Sequence, residues 1–127
     1  MVTRAEDLIS YISPSIRIPG GPAFSMAVQM MEKLLQQGRG LDEIHMSAEI
    51  YTPIAQKTGK SRQTVSRSME RAADFFWMNG RNENLNRIIG RTLPAKPYPR
   101  ELLLYCAYFL IHGEPYHKSV ASIFEEK

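Results

Sequence analysis

The amino-acid sequence predicts an all-α bundle. Three observations lead there. Strict apolar alternation of the strand type is almost absent. Apolar residues recur instead at steps of three and four along most of the chain. Proline and glycine mostly fall between those stretches, where helices start and stop. A length of 127 residues, 43% hydrophobic and 23% charged, suits one globular domain with a single core.

The elements follow in chain order. Thr3 and Glu6 have the spacing of a capping box for a first helix, about Arg4 to Ile12. "SPSIRIPGGP" breaks it with three prolines and two glycines. Pro22 suits the first turn of a second helix, where a fixed φ helps and a missing N–H costs nothing. That helix runs to about Gln37 and stops at Gly38, with Phe24, Val28, Met31 and Leu35 on one face. Asp42 is placed to cap a short turn or helix through His45. The next helix covers Ser47 to Thr58, and Thr52 before Pro53 has the pattern of an N-cap and a second start. Gly59 ends it in a left-handed conformation. Ser61 caps a long helix, about 61–78, that ends at "NG". "NENLNRIIG" reads as a short helix capped by Asn82 and closed by Gly90. "TLPAKPYP" is a stiff connector, and Pro99 opens a final helix, "PRELLLYCAYFLIHG", that is apolar on most of its circumference and so central to the core. A last short helix is expected over Lys118 to Glu125.

No apolar run approaches the ~20 residues a membrane span requires. The N-terminal stretch carries two acids and lacks the layout of a secretory signal, so a cytoplasmic protein is expected. The single cysteine, Cys106, has no intrachain partner and reads as a small buried hydrophobe. Net charge is +3, but its distribution is uneven. Lys57 to Arg100 holds ten Lys or Arg against three acids, while the remainder holds six against ten. A one-signed middle points to a polyanionic partner.

The stretch from Ile54 to Trp77, "IAQKTGKSRQTVSRSMERAADFFW", fits a DNA-binding helix-turn-helix. Such a unit needs a small residue in its first helix, a glycine-like turn and a buried branched residue in its second. Ala55, Gly59 and Val65 hold those places. At 100° per residue Val65, Met69, Ala72 and Phe76 share one stripe, and Arg62, Gln63, Ser66, Arg67 and Glu70 share a polar one beside it. The polar stripe lies in the helix half that meets base edges, where Arg can grip guanine and Gln adenine. The candidate phosphate contacts are Lys60, Ser61, Arg71, Arg91 and Lys96; the first two stand at the helix start, where free N–H groups favour an anion. The plain alternative is a solvated helix face with incidental arginines.

The same stretch, extended to "EIYTPIAQKTGKSRQTVSRSMERAADFFWMNG", resembles the C-terminal DNA-binding effector domain of the stage-zero sporulation response regulator A of endospore-forming bacteria. The similarity covers roughly 22–111 and includes Trp77, "GRNENLNRIIGRT" and the connector "AKP" before an apolar helix. It implies an all-α domain of about six helices and a transcription regulator with no cofactor. The partners it implies are double-stranded DNA with short repeated elements, a second copy of the chain bound head to tail, and RNA polymerase. The chain is accordingly read as an N-terminal helix and connector over 1–21, an effector domain over 22–113 and a tail over 114–127. Two departures stand out. About 20 residues precede the resemblance, too few for the family's phosphoacceptor receiver domain, so control by phosphorylation is not carried over. Arg67 matches the family, but Ser66 stands where a glutamate is expected and Glu70 where an arginine is expected.

Other chemistry finds little support. His45, His112 and His117 lack metal-ligand spacing. No nucleophile has a base and an orienting group, so no enzyme is read. Phe75, Phe76 and Trp77 point three ways from a helix and are read as packing rather than base stacking. Two functions remain: a sequence-specific DNA-binding regulator, and a helical protein-interaction module that pairs with a regulator and has lost DNA binding. Glu70 and the moderate net charge favour the second; Arg62, Gln63 and Arg67 favour the first.

Overall fold

The computed structural model describes residues 4–13 and 18–117. Among the described residues there are six α-helices and no strand. They are α1 (Ala5–Ile12), α2 (Gly21–Gln36), α3 (Thr52–Thr58), α4 (Arg62–Asn79), α5 (Asn82–Ile89) and α6 (Pro99–His112). A 3-10 turn, Leu41–Glu43, and a π-helical segment, Met46–Tyr51, lie between α2 and α3. The expected capping residue Thr3 and the expected helix over Lys118–Glu125 lie outside the described residues.

The apolar pattern explains the layering. α6 buries six residues in succession, Leu102 to Ala107, which only a helix covered on several sides can do. α2 covers it most extensively, and α1, α4 and α5 also pack against it. α2 buries Phe24, Ala27, Val28 and Met31, the face expected from its three- and four-residue steps, while Leu35 is half-buried. α4 is anchored to this spine by Phe76, whose ring meets Phe24 edge-on at 5.1 Å. Phe75 and Trp77 are half-buried against the same core, as packing rather than stacking requires.

Residues 5–12 belong to that core as well. Ala5, Leu8, Ile9 and Ile12 form one buried stripe of α1, and burying each larger side chain contributes about 1.5–3 kcal/mol. The Arg81 N–H donates to the Ile12 carbonyl at 2.7 Å, and the Asn84 side-chain amide to the Tyr11 carbonyl at 2.7 Å. These bonds tie the end of α1 to the start of α5.

Helix ends follow the punctuation with three corrections. Ser61 caps α4 as expected, its Oγ accepting the Thr64 N–H at 3.1 Å. Gly90 and Gly113 close α5 and α6 in left-handed conformations. Asp42, however, is not a cap: the 3-10 turn opens at Gly40, whose N–H donates to Glu43 Oε1 at 3.0 Å. Thr52 is not an N-cap either. It has helical angles, φ −62 and ψ −47, and its hydroxyl donates to the Ser47 carbonyl at 2.8 Å. The chain therefore enters α3 through a widened π turn, which makes room for the Pro53 ring and its missing N–H without a break. Asn82 is the first residue of α5 rather than its cap, which is Arg81.

Gly59 ends α3 at φ 72, and open space surrounds the position of a missing Cβ. A side chain there meets backbone strain and nothing else. Gly59→Val should cost about 1–2 kcal/mol, measured by chemical denaturation. A variant as stable as the parent would mean that the turn does not need a left-handed residue.

Candidate nucleic-acid interface

α3 and α4 are joined by Gly59, Lys60 and Ser61. Ala55 is 7% exposed and Val65 1%, so the small residue of α3 and the branched residue of α4 both face inward, as their places in the pattern require. Met69, Ala72, Ala73 and Phe76 continue the buried stripe of α4. The opposite arc, through Gln63, Arg67, Glu70, Arg71, Asp74 and Met78, is exposed. The first two turns of that arc carry no acid, and Lys57, Lys60 and Arg62 are exposed around the start of α4. The positive charge of the middle segment is therefore densest at the N-terminal end of this helix, where the helix dipole adds to it.

The expected base-contact set divides in two. Gln63 and Arg67 stand on the exposed arc, and among the described residues Arg67 enters no ion pair. Arg62, Ser66 and Glu70, four residues apart, form the edge of that arc nearest the π-helical segment. Arg62 Nη1 donates to Ser47 Oγ at 3.0 Å, Ser66 is half-buried, and the charge of the exposed Glu70 is felt at Tyr51. Burial first, and then the Glu70 carboxylate, push the Tyr51 hydroxyl above its ordinary range.

The expected phosphate contacts divide as well. Lys60 and Arg71 are exposed, on the turn and on α4. The Ser61 hydroxyl is committed to Thr64, accepting from its N–H and donating to its Oγ1 at 2.9 Å. Lys96 reaches α4 from the connector and pairs with Asp74. Arg91 lies elsewhere, beside Tyr105 and His117. Burial, and then the Arg91 charge, hold the His117 imidazole below its usual range, and its Nε2 lies 3.2 Å from the Tyr105 hydroxyl.

Several neighbours of this face escape sequence reasoning. Ser47 steadies Arg62 from fifteen residues away. Glu49 braces the π-helical segment: it takes both ends of the Arg39 guanidinium, at 2.6 and 2.9 Å, and the His45 N–H at 2.7 Å. The hydrogen bond from Arg39, followed by that from His45, holds the Glu49 carboxyl below the usual carboxylate range. Tyr98 is 76% exposed and shares with Glu70, Ala73 and Lys96 a cleft of about 350 Å³. Apart from the local His45–Glu49 bond, no periodicity signals these pairings, because each joins separate elements.

Among the described residues, no group of three or more His, Cys, Asp or Glu is placed to hold a metal ion. Cys106 is fully buried, and its thiol is pushed up to about 12 by that burial, as the reading of an inert core residue expects. No described helix is long and apolar enough to cross a membrane. Comparisons with protein-family models, curated proteins and solved structures find nothing that matches this chain.

Proposed function

We propose that this chain is a sequence-specific double-stranded DNA-binding transcription regulator of the sporulation-regulator effector type that its sequence resembles. In this reading α3 and α4 act as a helix-turn-helix and α4 enters the major groove. The observation that carries it is the exposed arc of α4, with Gln63 and Arg67 outward and Lys57, Lys60 and Arg62 grouped at its start. A second copy on repeated sites, contact with RNA polymerase and a cytoplasmic location belong to the same proposal. Glu70 and Asp74 on that arc favour the second reading, a protein-interaction module that pairs with a regulator.

Salt separates the two. A helix start that tracks phosphates should bind with an affinity that falls by about one log unit per log unit of salt for each phosphate neutralised. Lys60→Ala should lower that slope by about one and weaken binding to every duplex alike. Fluorescence anisotropy at several salt concentrations measures both. Failure to bind any duplex at low salt would select the interaction module.

A further inference from the structure

We infer that the connector before α6 is a second DNA-contacting element, with Tyr98 and Lys96 holding the sugar-phosphate backbone that flanks the groove. This rests on the reading of α4 as the DNA-facing helix. The starting observation is a difficulty in that reading. Glu70 and Asp74 stand on the exposed arc of α4, and two carboxylates repel phosphate. The fold answers it locally. Lys96 lies across Asp74 as an ion pair, which neutralises one of the two and brings the connector alongside α4. Glu70, Ala73, Ala95, Lys96, Tyr98 and Pro99 then line a single cleft.

The Tyr98 ring is without a structural task in that cleft: its backbone caps α6, but its side chain makes no capping hydrogen bond. A lone exposed aromatic is ordinary on a protein surface. This one is 76% exposed yet held on a fixed backbone. Pro97 before it is buried, Pro99 after it begins α6, and its N–H donates to Glu101 Oε1 at 3.0 Å. Its angles, φ −67 and ψ 154, are those a residue before proline adopts at no cost. The ring is thus displayed with little backbone freedom left to lose on binding. A tyrosine hydroxyl donates to phosphate oxygen while its ring lies on deoxyribose, and a neighbouring lysine adds charge. Lys96 holds Asp74 in the free protein and bridges Asp74 and a phosphate in the complex. Asp74 therefore restrains the lysine until DNA arrives.

The test uses the full chain and two fluorescein-labelled duplexes, one of mixed sequence and one obtained by selection from a random pool. Tyr98→Ala should weaken binding to both by about fivefold, and Tyr98→Phe, which keeps the ring, by about twofold. Lys96→Ala should lower the salt slope by about one, and Asp74→Asn should tighten binding by about threefold at low salt. Thermal unfolding should stay unchanged for both Tyr98 variants, because the ring is largely solvated. Arg67→Ala serves as the reference. If it loses sequence preference while the Tyr98 and Lys96 variants bind as the parent does, the connector is not a contact and the inference falls alone. If Arg67→Ala also binds as the parent does, or no duplex is bound, the DNA-facing reading of α4 falls with it.

Discussion

Gly20→Ala should destabilise the fold by about 3 kcal/mol, lowering the melting temperature by about 10 °C. Two costs combine. Gly20 sits at φ 71, where any side chain strains the backbone by about 1–2 kcal/mol. A Cβ there would also stand 2.9 Å from the Ser68 carbonyl carbon and 3.2 Å from its Cα, and would overlap the carbonyl oxygen. Those are backbone atoms in the middle of α4, so no side chain can swing aside. Either α4 or the start of α2 must shift, and the Phe24–Phe76 contact between them would loosen. Gly59→Ala is the control. Its φ of 72 is nearly the same, but open space surrounds it. The difference between the two variants isolates the approach of α2 to α4. Equal losses in urea denaturation would show that this approach is not tight, and that Gly20 is needed for its φ alone.

That contrast also marks what the sequence can and cannot carry. Gly20 and Gly59 look alike in the sequence: each is punctuation between helices. The start of α2 around Pro22, the Gly59 turn, the Ser61 cap and the ends at Gly90 and Gly113 are legible because each depends on local φ or on one side chain reaching its own helix. The burial of Val65, Met69, Ala72 and Phe76 is legible for the same reason, since the period of one helix sets it. Thr52 misleads because the Thr-Pro pattern is read locally, whereas the preceding segment widens into a π turn and carries the helix through. The division of the polar stripe is hidden too. Arg62, Ser66 and Glu70 differ from Gln63 and Arg67 only in which neighbour lies beside them, and Ser47 and Tyr51 come from another element. The Lys96–Asp74 pair and the exposed ring of Tyr98 depend on where the connector lies, which no periodicity encodes.

If α4 enters the major groove as proposed, the division of that stripe sharpens what it should read. Arg67 is exposed on the outer arc and enters no ion pair among the described residues, so its guanidinium is available to a base edge. Arg62 is held by Ser47 at the flank and is better placed to steady the helix against a backbone. Arg67→Ala should therefore lose about 1–3 kcal/mol of discrimination at one base pair, the worth of a bidentate contact to guanine, with a smaller loss at other positions. Glu70 behaves differently. It lines the connector cleft, cannot donate while ionised, and repels phosphate. It can accept from a cytosine amino group or orient Arg67 or Arg71 along the helix. Glu70→Arg exchanges a repelled charge for an attracted one and should tighten binding by about 1 kcal/mol or more at low salt, with preference moving toward guanine. Ser66, half-buried and short, cannot supply the reach of the glutamate that the resemblance leads one to expect there, so under the proposed reading the preferred element should differ from that of the family the sequence resembles while still requiring Arg67. Selection from a random duplex pool, run in parallel for the parent, Arg67→Ala and Glu70→Arg, compares the three motifs directly. An unchanged motif for Arg67→Ala would remove α4 as the reading helix, whatever the salt dependence of its binding.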